Sequence, residues 1–188
     1  MKAIKVSATV ALAIAVIGVL TAPLFLHYGY SILSNSISES AAQNVPTAWI
    51  ARAALFASGL AVLGVVALKS GSWSRSVSIS FAIFGTLWII SSVFSTKSWV
   101  AEASFNQVES EIHSVAASAM AIIVLGALVL GFTRQPVSPI ERVLAFGLAA
   151  AATFLPLASY LVPELGGLFQ RVMFLYTYLW FARQVYLA

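Results

Sequence analysis

Apolar residues run through this chain in long blocks, and polar residues punctuate the blocks. Crossing a bilayer takes roughly 20 apolar residues in a helix. Six runs meet that length, at 4–27, 49–68, 76–95, 112–133, 142–162 and 167–187. The sixth is the least regular, because Arg171 and Arg183 lie inside it. Between the runs stand short polar connectors: KSGSWSR, TKSWVAEASFNQVESE, TRQPVSPIE and PELGG. The longest connector, between the first two runs, falls within YGYSILSNSISESAAQNVPTAWIAR at 28–52, a serine-rich interruption in an otherwise apolar chain. In hydrocarbon the backbone must satisfy its own hydrogen bonds, so the crossing segments are helices. The pattern predicts an all-α integral membrane bundle of six transmembrane helices, a single domain over 1–188. Its external loops are expected near 28–48 and 96–111.

Composition strengthens this picture. Hydrophobic residues make up 61% of the chain and charged ones 9%, against about a quarter charged in ordinary globular proteins. Mean hydropathy is +0.96. Such a chain cannot cover itself with polar surface. Lys2 and Lys5 ahead of a long apolar run imitate a signal peptide, but the run continues through Leu26 without an A-x-A site. It is expected to be a retained first span.

The net charge of +4 comes from ten Lys and Arg against six Glu, with no Asp. The cations stand singly between apolar runs, which is the distribution of membrane orientation and not of nucleic-acid binding. With the N-terminus in the cytoplasm, the inner side holds Lys2, Lys5, Lys69, Arg75, Arg134, Arg142 and Arg183. The outer side holds Arg52, Lys97 and Arg171. Seven against three places both termini in the cytoplasm. The lipid bilayer of the cell membrane is the expected surrounding. Glu39, Glu102, Glu109, Glu111 and Glu164 then fall outside, with Trp49 and Trp99 at the outer interface and Trp73 at the inner one.

Small residues let helices approach closely in lipid. Ala54 with Ser58, and the run Gly147 to Ala152, offer such faces. Pro23 and Pro156 are expected to bend the first and fifth spans. Tyr176, Tyr178, Trp180, Phe181 and Tyr186 give the sixth span an aromatic inner end, a packing seam or an interfacial belt.

Ionisable groups in or beside spans are costly in lipid and usually face protein or water. His27, Arg52, Glu109, His113 and Arg171 all project to the outer half of the bundle. Glu109 and His113 are four apart and share a helix face. Arg52 and Arg171 oppose the orientation rule, so each is expected to have a partner, with Glu39, Glu109 and Glu111 as candidates. The candidate ligand-binding set is Glu39, Arg52, His113, Arg171, Tyr30 and Ser38. Glu109 is expected to hold His113, and these two are the candidate catalytic residues.

Other chemistry finds little support. No cysteine exists, which excludes disulfides, thiolate metal sites and Cys nucleophiles. Haem between His27 and His113, or zinc on those two and a Glu, lacks a supporting spacing. Ser31 or Ser38 with His113 and Glu109 would make a hydrolytic set, but no nucleophile-elbow motif is present. No cofactor and no metal is assigned.

The loop sequence carries a resemblance. YSILSNSISESAAQNVPTAW, between two apolar helices, resembles the signature of small prokaryotic multi-span membrane proteins known as domain of unknown function 998 (DUF998). The matching positions are Tyr30, Ser31, Leu33, Ser34, Ile37, Ser38, Glu39, Pro46 and Trp49. VFSTK after the third span, HSVAA at His113 and LFQR at Arg171 continue it in order. Ser95 stands where the family has Pro, Ser40-Ala41 where it has Leu-Gly, and no Asp lies near Lys97. The resemblance implies six helices and a membrane location, adds weight to Glu39, His113 and Arg171 as a linked set, and implies no substrate. The expected function is binding of a lipid or small amphiphile in an outward-facing polar pocket. The alternatives are an enzyme acting on a lipid-linked substrate at the outer leaflet, with His113 as base, and an accessory subunit bound to a membrane protein partner.

Overall fold

A computed structural model of the protein describes residues 1–26, 29–100, 103–134 and 138–188. Within them the chain is helical and without strands. The elements are α1 (Lys2–Thr21), a short α2 (Ile37–Ser40), α3 (Ala48–Lys69), α4 (Arg75–Val93), α5 (Gln107–Arg134), α6 (Pro139–Leu161) and α7 (Gly166–Tyr186), with 3-10 turns at Ala22–Phe25 and Pro163–Leu165.

Local chemistry explains most of the ends. Pro23 lacks an N–H, and the chain tightens into a 3-10 turn there, so Pro23 ends α1 and does not bend it. Ser74 accepts from Val77 N–H and opens α4. Ser138 does the same for Glu141 N–H at α6, ahead of Pro139 in the first turn. α5 begins five residues before its apolar run. Asn106 caps it through Glu109 N–H, and Gln107 bonds Glu111 one turn on. That first turn is helical and polar, so hydropathy alone passes over it.

The six long helices close into a ring. α1 packs on α3, α3 on α4, α4 on α5, α5 on α6, and α6 on α7, which returns to α1 and touches α3 across the middle. Small residues set the tightest approaches. A Cβ on Gly59 would lie 2.6 Å from the Gly85 carbonyl oxygen, so the α3 and α4 backbones nearly touch. Ala54, wholly buried, lies against Gly18 of α1. One turn on, the Ser58 and Tyr178 hydroxyls share a hydrogen bond of 2.8 Å.

The aromatic residues of α7 form a packing seam, as one of the two sequence readings has it. Trp88 stacks on Tyr178 at 5.9 Å and meets Phe174 edge-on at 5.3 Å. Phe81 meets Phe181 at 5.6 Å. Trp73 is drawn in as well, stacked on Trp180 at 6.0 Å, so it is a core residue and not an interfacial anchor. Tyr186 alone stays out, at 80% exposed.

Among the described residues five helices are long and apolar enough to cross a membrane: Lys2–Phe25, Ala48–Lys69, Arg75–Val93, Gln107–Val129 and Pro139–Leu161. α7 matches them in length but is less apolar, carrying Gln170, Arg171, Arg183 and Gln184. It completes the ring all the same.

Candidate functional site

The segment 29–47 folds across one end of the bundle as a roof. Its own turn chemistry shapes it. Ser36 and Glu39 form a reciprocal capping box on α2, Glu39 Oε2 accepting from Ser36 N–H at 2.6 Å and Ser36 Oγ from Glu39 N–H at 3.1 Å. Asn35 Nδ2 donates to the other Glu39 oxygen. Both carboxylate oxygens are thus engaged within their own turn. The expected pairing of Glu39 with Arg52 or Arg171 is not what the structure shows.

The two arginines bind backbone instead. Arg171, 7% exposed, donates from Nη1 to the carbonyls of Ile32 and Asn35, both at 2.8 Å, and Gly167 at 2.9 Å. Its Nη2 donates to the Tyr30 hydroxyl at 2.6 Å, which donates in turn to Ser36 O. Arg52 donates from Nε to Ala41 O and from Nη2 to Ala42 O, both at 3.0 Å. Those carbonyls end α2, where helical C=O groups lack partners and positive charge is favoured. A planar guanidinium serves several such acceptors at once. Burial pushes the Tyr30 hydroxyl above its ordinary value, and the Arg171 guanidinium pulls part of the way back.

A second knot joins the roof to the segment between α4 and α5. Gln43, missed by the sequence reading, is its hub. Its Nε2 donates to Ser95 O and Asn106 O at 2.8 and 3.0 Å, and its Oε1 accepts from Asn106 N–H at 2.7 Å. An amide carries both donor and acceptor, so one side chain latches two loops. Nothing in composition separates it from the other glutamines.

Glu109 and His113 share a face of α5, as their spacing predicts, but do not act on each other. Glu109 Oε1 accepts from Ser95 N–H at 2.8 Å, a donor that a proline at 95 would lack. His113 Nδ1 lies 3.0 Å from Ser91 O and 2.9 Å from Phe94 O. Both partners are carbonyls and only accept, so Nδ1 carries the proton. Nε2 is left as an acceptor. Two residues of α5 therefore hold the C-terminal end of α4.

Beneath the roof lies a cavity of about 560 Å³, within the range of small-ligand sites. α4 contributes Phe84, Trp88 and Ser91, α5 the face from His113 to Val124, and α7 Gln170, Met173 and Thr177. Ser38 of the roof and Leu148, Ala152 and Pro156 of α6 complete the wall. Ser118 and Ile122 of α5 and Pro156 of α6 line it and are also exposed, so the cavity reaches the surface between α5 and α6. A second chamber of about 340 Å³ adjoins it, sharing Pro156, Gln170 and Met173. Ser34, Ser36 and Ser159 make that one polar.

Of the sequence-predicted set, His113 and Ser38 line the main cavity. Tyr30, Glu39, Arg52 and Arg171 build the roof above it. His27 and Glu102 lie outside the described residues. Among the described residues no three His, Cys, Asp or Glu side chains group as a metal site.

A ring of long apolar helices under a polar roof defines a multi-pass membrane protein. The chain belongs to the DUF998 family, protein of unknown function, whose model matches residues 9–183. No curated protein and no solved structure matches it.

Proposed function

We propose that this membrane protein binds a lipid or another small amphiphile in the roofed cavity, with the roof outside the cell membrane. The observation that carries this is the division into two adjoining chambers. The larger is mostly apolar and opens sideways between α5 and α6, where acyl chains lie. The smaller is serine-lined and sits under the roof, suited to a head group. The distribution of Lys and Arg supports the outward direction, and with it the reading of α7 as a sixth span with both termini inside.

The test is mass spectrometry of the protein released from native membranes into nanodiscs. Retained lipid is expected on the unaltered chain. Ala121→Phe fills the apolar chamber, so the retained species should fall at least about tenfold while the helical signal persists. Equal retention by the variant would refute the reading.

One observation favours a catalytic use of the same site. His113 presents a fixed tautomer with Nε2 free to take a proton. Turnover of a lipid-linked substrate, lost in His113→Ala with folding intact, would separate catalysis from binding.

A further inference from the structure

The two chambers differ from a phospholipid site in one respect: their walls carry no formal charge. Among the described residues, neither lining includes a Lys, Arg, Asp or Glu. The nearest candidate, Arg171, has its guanidinium covered by three carbonyls and a hydroxyl. A charged head group brought in here would lose its hydration and meet no counter-charge.

The polar atoms of the walls are of both kinds: Trp88 Nε1 and Ser91 Oγ are buried without a partner and can donate, while other groups offer acceptors only. His113 Nδ1 is engaged with two carbonyls, so the ring offers the Nε2 lone pair. Thr177 has donated its proton to Met173 O at 2.8 Å, and Ser159 to Leu155 O at 2.9 Å. Their oxygens retain lone pairs only. Pro156 has no N–H for Ala152 O, four residues earlier, and both residues line the wall. A buried donor or acceptor without a partner is costly, so such a wall selects for a guest that both donates and accepts, as a hydroxyl does.

Building on the proposed amphiphile site, we infer that its ligand is an uncharged amphiphile whose head carries a hydroxyl group, donated to His113 Nε2. Long-chain alcohols, isoprenoid alcohols and acylglycerols share this chemistry. Anionic phospholipids and fatty acid anions do not.

The experiment uses the full chain in phosphatidylcholine nanodiscs, with saturable binding of tritiated 1-dodecanol measured over empty nanodiscs. Competitors keep one chain length and change only the head: monolauroylglycerol, dodecyl methyl ether, dodecanoate and dodecyltrimethylammonium. Monolauroylglycerol should displace the label at least about tenfold better than the ether, which accepts but cannot donate. Both ions should compete more weakly still. Thr177→Val, which keeps the shape and removes one acceptor, should narrow the gap between alcohol and ether. His113→Leu should abolish it. Because His113 also anchors α4, the threonine variant keeps the test valid should that protein fail to fold. Ether as strong as alcohol, or an ion stronger than either, overturns the hydroxyl assignment while amphiphile binding stands. Absence of any saturable dodecanol binding overturns both.

Discussion

At the scale of single residues, the organising chemistry is the guanidinium bound to carbonyl oxygens. Arg171 ties three points of the roof to α7 in one buried group. Removing it leaves those acceptors unmatched, whereas a lysine can meet only some of them from a single point. Arg171→Met should destabilise the protein by about 3 kcal/mol, and Arg171→Lys by roughly half as much, read by denaturant unfolding in detergent. A loss below about 0.5 kcal/mol for the methionine variant would show the roof to be held elsewhere. Sequence reasoning found Arg52 and Arg171 by their position against the orientation rule, and rightly expected partners for both. It chose carboxylates because charge is visible in a sequence. Backbone carbonyls are present at every position and cannot be told apart by letter, so Ile32, Asn35, Ala41 and Ala42 were illegible. Gln43 was hidden for a related reason: its partners Ser95 and Asn106 are brought near only by the closed ring.

At the scale of elements, the six long helices were legible almost to their ends, because each apolar run is bounded by a cap or a proline. The short α2 was not, since four residues of ISES carry no periodicity. Its docking depends on one backbone approach. A Cβ on Gly167 would fall inside contact distance of the Asn35 carbonyl oxygen and 2.7 Å from that of Ile32, both of them roof backbone. Gly167→Ala should therefore lift the roof from α7 at a cost of about 1–3 kcal/mol, with faster hydrogen exchange at 30–40 and little change in α1 or α3. Unchanged exchange there would mean that the roof tolerates the methyl group. The cavity itself was not foreseen as apolar. The sequence pointed to polar residues at one depth, and those built a cover, leaving Phe84, Trp88 and the small residues of α5 and α6 to shape the space below.

At the scale of the whole molecule, the arrangement sets a roofed, loop-rich end against an end rich in cations. The native chain has no cysteine, so a single introduced one is the sole thiol. Leu33→Cys, exposed in the roof, should react with an impermeant maleimide on intact cells. Gly71→Cys, between α3 and α4 at the opposite end, should react only after permeabilisation. The reverse pattern would invert the protein and place the smaller chamber on the inner side.

The modest apolarity of α7 has a consequence for biogenesis. A helix carrying Gln170, Arg171, Arg183 and Gln184 would partition poorly from the translocon into bare lipid. The five segments made before it supply what lipid withholds, namely carbonyls for Arg171 and an aromatic wall for Trp180 and Phe181. α7 is then stabilised by tertiary contact and not by its own hydropathy, and a nascent chain halted before Gly166 would display an unfinished groove, its roof without the Arg171 anchor, to quality-control proteases.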